Sequence, residues 1–266
     1  MRLSIAAGFC LLSLAATGAH AAPIKIDLGT ASSFAVLSST TVTNTGATTI
    51  NGNLGVWPGT AVTGFPPGIV MNGAIHANDS VAKQAHADLV AAYAAAAAAP
   101  GGTVLTGTDL GGLTLTPGTY TFASAAQLTG ALTLDAQGTS QATFLFQIGS
   151  ALTTASMSLV TLVNAGSNDS IIFQVGSSAT LGTGTTFTGS ILALSDITLN
   201  TGAVIRAGGA FVRDGAVTLD GNTVSAVASA APAETNVPEP ASAMMLGFGV
   251  LLAAAGRVRE VRQAAM

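Results

Sequence analysis

Between residues 22 and 225 the chain repeats a short motif: an apolar residue, a threonine, an apolar residue, then a corner. Leu113-Thr114-Leu115, Leu132-Thr133-Leu134, Ala179-Thr180-Leu181, Ile197-Thr198-Leu199 and Val217-Thr218-Leu219 carry it, with Leu152-Thr153-Thr154 as a weaker copy. Alternation of period two predicts strands with one buried side. The central threonines lie 19, 20, 27, 18 and 20 residues apart, and a recurring period of this size marks a repeat architecture. Asp135-Ala136-Gln137-Gly138, Gly182-Thr183-Gly184, Asn200-Thr201-Gly202 and Asp220-Gly221-Asn222 follow the copies. Asp, Asn and Gly tolerate the backbone conformations that sharp corners need. A coil of about 19 residues accommodates three short strands and three corners. The pattern therefore predicts a mostly β fold, a β-solenoid of triangular section stacked at the strand spacing of about 4.7–4.9 Å.

The alternation also predicts which side chains face out. If the flanking apolar residues fill the interior, threonine and the residue two before it point to solvent. One outer row then holds Gly112, Ala131, Ala151, Ser178, Asp196 and Ala216, and the next holds Thr114, Thr133, Thr153, Thr180, Thr198 and Thr218. Thr41-Val42-Thr43 fits the same register. An ordinary solvated strand face mixes in Lys, Glu and Arg, whereas this one has Asp196 as its exception. Threonine is stiff at χ1, so a repeating array of methyls and hydroxyls can hold ordered water at little entropic cost. The other reading is a sheet face that merely uses a β-favouring residue.

One segment breaks the strand pattern. Asn78 to Ala99 offers Asp79 and Ser80 as N-caps, a six-alanine run at Ala94 to Ala99, and a stop at Pro100-Gly101-Gly102. These signals predict one helix over about 80–99. Val81, Ala85, Leu89, Ala92 and Tyr93 are its expected buried stripe, with Lys83 and His86 solvated.

Composition narrows the class. Charged residues make up 8% of the 266, against about 25% in an average soluble domain. Hydrophobic residues are 49%, glycines number 32, and the formal net charge is −4. A charge-rich disordered chain is excluded, and so is a nucleic-acid binder with a basic face. The membrane signal is confined to the ends. Arg2, the apolar run Leu3 to Ala16 and Ala19-His20-Ala21 form a secretory leader over residues 1–21, cut after Ala21. The run is shorter than the roughly 20 residues of a membrane span, which weighs against an anchor. The one cysteine, Cys10, leaves with the leader.

Residues 226–236 are an alanine-rich linker. Val237-Pro238-Glu239-Pro240 then precedes an apolar stretch from Ala241 to Ala255, followed by Arg257, Arg259 and Arg262. Apolar residues backed by arginines make a stop-transfer pattern. Residues 237–266 resemble the PEP-CTERM sorting tail of Gram-negative bacteria. That resemblance implies an exosortase as a partner and a secreted or cell-surface location.

Candidate chemistry is sparse. His76 and His86 have neither an HExxH pattern nor a Cys partner, so no metal site is expected. Asp135 and Asp220 each follow an apolar-Thr-apolar copy and suit corners better than a pair of glycosidase carboxylates. Gly182-Thr183-Gly184 lacks the lysine of a phosphate loop. Arg213-Asp214 suggests a surface ion pair. Neither an enzyme nor a cofactor is expected.

A longer series of segments runs along the body. It includes Phe34-Ala35-Val36-Leu37, Thr43-Asn44-Thr45-Gly46, Gly52-Asn53-Leu54-Gly55 and Gly64-Phe65-Pro66-Pro67-Gly68. Leu115-Thr116-Pro117-Gly118-Thr119-Tyr120, Phe144-Leu145-Phe146-Gln147-Ile148-Gly149, Phe173-Gln174-Val175-Gly176 and Gly189-Ser190-Ile191-Leu192-Ala193 continue it. In order and spacing these resemble the microbial ice-binding proteins that share the DUF3494 domain, over about residues 27–225. The resemblance implies a discontinuous right-handed solenoid with a long helix alongside and the N-terminal coil stacked on the C-terminal one. It also implies adsorption to an ice crystal surface through one flat face. Gly215-Ala216-Val217-Thr218 and Ser195-Asp196-Ile197-Thr198 match the family's pattern on that face, and Thr41, Thr43 and Thr63 fall where the N-terminal coils contribute. The expected ice-binding set is Thr41, Thr43, Thr63, Ala131, Thr133, Ala151, Thr153, Ser178, Thr180, Asp196, Thr198, Ala216 and Thr218. An extracellular matrix or adhesion module that binds exopolysaccharide is the alternative.

Overall fold

The computed structural model describes residues 24–227. The leader, Cys10, the tail 237–266 and all but the first two residues of the linker lie outside the described residues. Three parallel sheets form the sides of a triangular solenoid, and each coil passes from sheet A to sheet B to sheet C.

Sheet A has nine strands. In spatial order they are Ile75–Ala77, Asn53–Val56, Phe34–Ser38, Ala210–Val212, Ser190–Ala193, Ser170–Val175, Thr143–Ile148, Gly118–Phe122 and Thr103–Val104. The stack is therefore discontinuous in sequence. Val36 pairs with Ala210, Val42 with Val217, and Thr49 with Thr223, so all three sheets cross the same seam. The N-terminal coil sits on the C-terminal one, as the family resemblance implies.

This topology requires a return path. Ile75–Ala77 and Thr103–Val104 lie at opposite edges of sheet A. Nine strands at the usual spacing span about 38 Å. The helix Ser80–Ala98 has 19 residues, which cover about 28 Å, and residues 99–102 supply the rest. Its N-cap is Asp79, whose carboxylate accepts the Ala82 N–H at 2.8 Å. At the other end the Gln147 amide donates to the Ala96 and Ala99 carbonyls, both at 2.8 Å, satisfying acceptors that a helix terminus leaves open.

The helix packs on sheet A through Ala82, Ala85, Leu89, Ala92, Tyr93 and Ala96. Val81, an expected member of that stripe, is exposed instead. It lies one residue, about 100° of rotation, off the three-and-four spacing that Ala82 and Ala85 begin. His86 also departs from expectation. Its Nε2 lies 2.8 Å from the Arg213 carbonyl oxygen, and the ring is half-buried. Lys83 does face solvent, with its ammonium 5.4 Å above the Trp57 ring.

Beneath the helix, Phe34, Leu37, Leu145, Ile172, Leu192 and Phe211 form the outer side of sheet A. Sheet A is thus buried on both sides, which explains runs such as Phe144-Leu145-Phe146 and Ile171-Ile172-Phe173 that do not alternate. Inside the solenoid Phe146 and Phe173 stack with ring centroids 4.2 Å apart, and Phe187 tilts onto Phe173 at 4.7 Å.

Local donors take up the carboxylates. The described chain has nine aspartates and no glutamate, and every one of the nine meets a hydrogen-bond donor. The Ala82 N–H, with smaller help from His76, holds Asp79 below the ordinary carboxylate value. The Thr30 hydroxyl and N–H do the same for Asp88, and Asn164 and the Gln137 N–H for Asp135. Burial pushes Asp109 up, but the N–H groups of Gly111 and Thr129 outweigh it, and its pKa is also lowered. A carboxylate whose folded pKa lies below its unfolded one stabilises the fold above the unfolded value. That contribution is lost as pH falls through the folded value. The urea midpoint is therefore expected to be level from pH 8 to about 5 and to fall as the pH drops below about 4, the ordinary carboxylate value. Greater stability at pH 3 than at pH 6 would contradict this.

Candidate functional site

Sheet B is the one side left both open and regular. In spatial order its seven strands are Ala126–Leu128, Leu152–Thr154, Ala179–Leu181, Ile197–Leu199, Val217–Asp220, Thr41–Thr45 and Ala61–Thr63. Each buries alternate residues, such as Val217 and Leu219, beside the interior aromatics. The residues between point out.

These outward residues form a ladder in register. Thr63 pairs with Thr43, Thr43 with Thr218, Thr218 with Thr198, Thr198 with Thr180, and Thr180 with Thr153. The seam lies between Thr43 and Thr218, and the ladder crosses it unbroken. Gln127 takes the next rung, opposite Thr153. Neighbouring rungs are separated by the strand spacing of about 4.8 Å, and outward residues along one strand by about 6.6 Å. The flanking row contains Ala151, Ser178, Asp196, Ala216 and Thr41, together with Ala61 opposite Thr41.

The face carries little charge. No lysine or arginine lies in the seven strands; Asp196 and Asp220 stand at its corners, and Asp109 bridges to Gln127 beyond its outer edge. Asp196 turns one carboxylate oxygen to the Ala216 N–H of the next coil at 2.8 Å. Asp220 accepts a hydrogen bond from the Thr201 hydroxyl. Both carboxylates are thus directed along the stack.

Two expected members lie elsewhere. Ala131 and Thr133 belong to the strand Ala131–Asp135 of sheet C, where Thr133 pairs with Thr114 and Thr161. The true successor of Thr133 in the stack is Thr161, but Thr153 happens to stand at a plausible repeat distance. Side-chain alternation is the same on all three sides of a prism and does not say which side a strand belongs to. The members missed were Gln127 and Ala61. Gln127 was hidden because its copy, Ala126-Gln127-Leu128, has no threonine. The sheet A strands would have revealed it: Gly118–Phe122, Thr143–Ile148 and Ser170–Val175 each precede a sheet B strand by the same three-residue corner.

Sheet C is less suited to a flat contact. Ile69, Met71 and Leu159 project from it at 51%, 48% and 38% exposure, and Arg206 stands among them, paired with Thr188. Asp135 ends a sheet C strand and Asp220 a sheet B strand, and both bond to local corner groups. Arg213 and Asp214 form a surface ion pair at 2.7 Å. No group of three or more metal-ligating side chains lies among the described residues.

A family model described as Ice-binding-like matches residues 36–225. The chain belongs to the ice-binding-like family. Among its relatives, an ice-binding protein of Nostoc sp. (strain HG1) is 54% identical over 237 residues, 88% of this chain and 87% of that one. The crystal structure of an ice-binding protein from the Antarctic ascomycete Antarctomyces psychrotrophicus superposes with a TM-score of 0.73 at 41% identity. It covers 77% of this chain and 99% of its own. An ice-binding protein from an Antarctic biological consortium gives 0.70 at 45% identity, covering 77% and 91%. The solenoid with one packed helix is thus the architecture of solved ice-binding-like proteins.

Proposed function

We propose that this ice-binding-like protein adsorbs to ice through sheet B and so inhibits ice growth and recrystallisation. The observation that carries the proposal is the six-threonine ladder, Thr63 to Thr153, held in register across the seam between the two ends of the chain. Hydroxyls anchor water, methyls leave room for it between rungs, and the rigid backbone fixes the array before ice arrives. Preorganisation of this kind removes the ordering cost that a flexible surface would meet on binding. Thr41, Ala61, Ala151, Ser178 and Ala216 form the small-residue margin of the same contact, with Asp196 as its one charged member.

The test is growth of a single ice crystal in a solution of the purified protein during slow cooling. Faceting and a gap between melting and freezing points support adsorption, whereas a round, freely growing crystal rejects it. Gln127→Thr would add a seventh rung. It is expected to widen the gap modestly at equal concentration, and an unchanged gap would show that the contact stops short of this edge.

Export is the second part of the proposal, and it rests on the terminal sequences. Residues 1–21 act as a leader, and residues 237–266 are a sorting tail recognised by an exosortase of a Gram-negative host. The exopolysaccharide alternative finds less support in sheet B, whose strands carry no aromatic ring on which a sugar could stack.

A further inference from the structure

A single peptide unit on the edge between sheets A and B is held from both sides at the seam. It lies between Gly215 and Ala216, just ahead of the strand Val217–Asp220. The Gly215 carbonyl oxygen accepts the Ser39 N–H at 3.1 Å and the Thr40 N–H at 3.0 Å. The Ser38 hydroxyl donates to the same oxygen at 3.4 Å. All three donors belong to the N-terminal coil. The N–H of this unit, on Ala216, points the other way and donates to Asp196 Oδ1 at 2.8 Å. A trans peptide is planar, with its C=O and N–H opposed. Whatever holds the N–H therefore also aims the carbonyl across the seam.

The corner is shaped to admit the carboxylate. Gly215 is buried, and an added Cβ would stand 2.5 Å from Asp196 Oδ1 and 2.3 Å from the Ser195 carbonyl oxygen. The φ of Gly215 lies outside the left-handed region, so close approach calls for glycine here. One coil away the Ser178 hydroxyl accepts the Asp196 N–H at a longer 3.4 Å. Asp196 is the stronger acceptor, because a bond to an ionised oxygen is about twice as strong as a neutral one.

On the face itself Asp196 is a departure, the one charge in a margin of small residues. We propose that it is a positioning residue for the ice contact. By holding the seam peptide it aligns the two strands that start there, and so sets Ala216, Thr218 and Thr43 in one plane. Thr218 and Thr43 are the two rungs that meet across the seam. The useful feature of Asp196 is its acceptor oxygen, and its charge is incidental. This rests on the reading of sheet B as the ice contact.

The test compares Asp196→Ala, Asp196→Asn and Asp214→Ala in the purified protein. Asparagine keeps an acceptor oxygen and drops the charge. Asp214, paired with Arg213 at the same corner, is the charge control. Two quantities are read: the gap between melting and freezing points at equal concentration, and hydrogen exchange of the Ala216 amide. In Asp196→Ala, exchange should quicken at least about tenfold and the gap should fall to about half or less. In Asp196→Asn, exchange should stay within about threefold of the parent and the gap close to it. Asp214→Ala should match the parent in both. An equal or wider gap in Asp196→Ala overturns the proposal and makes the carboxylate a burden on the face. A gap as narrow in Asp196→Asn as in Asp196→Ala also overturns it, since the charge would then be what matters. Unaltered Ala216 exchange in Asp196→Ala removes the clamp and the proposal with it. Absence of any gap in the parent would overturn the reading of sheet B itself, whatever the exchange shows, which separates the two failures.

Discussion

Thr198→Tyr is expected to abolish most of the gap between melting and freezing points while leaving the fold in place. Thr198 is an interior rung of the ladder, half-exposed, with Thr180 on one side and Thr218 on the other. A tyrosine ring would stand above the threonine plane and hold ice away from both neighbours and from Ala216. The interior would be untouched, because Ile197 and Leu199 supply the buried side chains of this strand. Surface changes of this kind cost about 0.5 kcal/mol or less, so the melting temperature should move by no more than about 2 °C. Thr133→Tyr is the matched control on sheet C and should leave ice activity near its parent value. Loss of activity in the control with retention in Thr198→Tyr would place the ice contact on sheet C.

Phe173→Ala should have the largest effect on stability. Phe173 is fully buried, stacked on Phe146 and capped by Phe187. Truncation removes its contacts on both sides, and coils locked by parallel hydrogen bonding on either side cannot close over the void. The expected cost is about 3–5 kcal/mol, read as a lower urea midpoint. Ice activity measured near 0 °C should persist wherever the variant remains folded, because the ring lies inside sheet A and not under a threonine rung. A cost below about 1 kcal/mol would mean that the coils do collapse around the missing ring.

The sequence exposed the repeat, the strand alternation, the helix and its cap at Asp79. Each of these is a local property, fixed by period, propensity or a single capping side chain. It also placed Thr153, Thr180, Thr198 and Thr218 in register. The assignment of strands to sides was not legible from the threonines. Thr133 looks like its neighbours in the pattern, and only the lengths of the preceding corners put it on sheet C. Longer corner segments, Ala136 to Ala142 and Asn164 to Asp169, shift the spacing in two coils. Val81 and His86 were misplaced for a related reason. Which arc of an alanine-rich helix is buried depends on the surface beneath it, here Leu37, Phe211 and the Arg213 carbonyl. The seam was suggested by family resemblance alone, since nothing local in Val42 or Val217 says that they pair.

That seam sets an order of events during synthesis. The strands from Phe34 to Ala77 and the helix are made first, yet their sheets are completed by Ala210 to Ser225, which are made last. Early segments wait for late ones, and contacts so distant in sequence slow folding. Under the export proposed above, such delay is useful. A first third that lacks its final coil leaves one edge of each sheet without its partner strand, and is expected to stay open for longer on the side of synthesis. Arrival of the final coil on the far side would then convert an open, threadable chain into a rigid one and discourage its return.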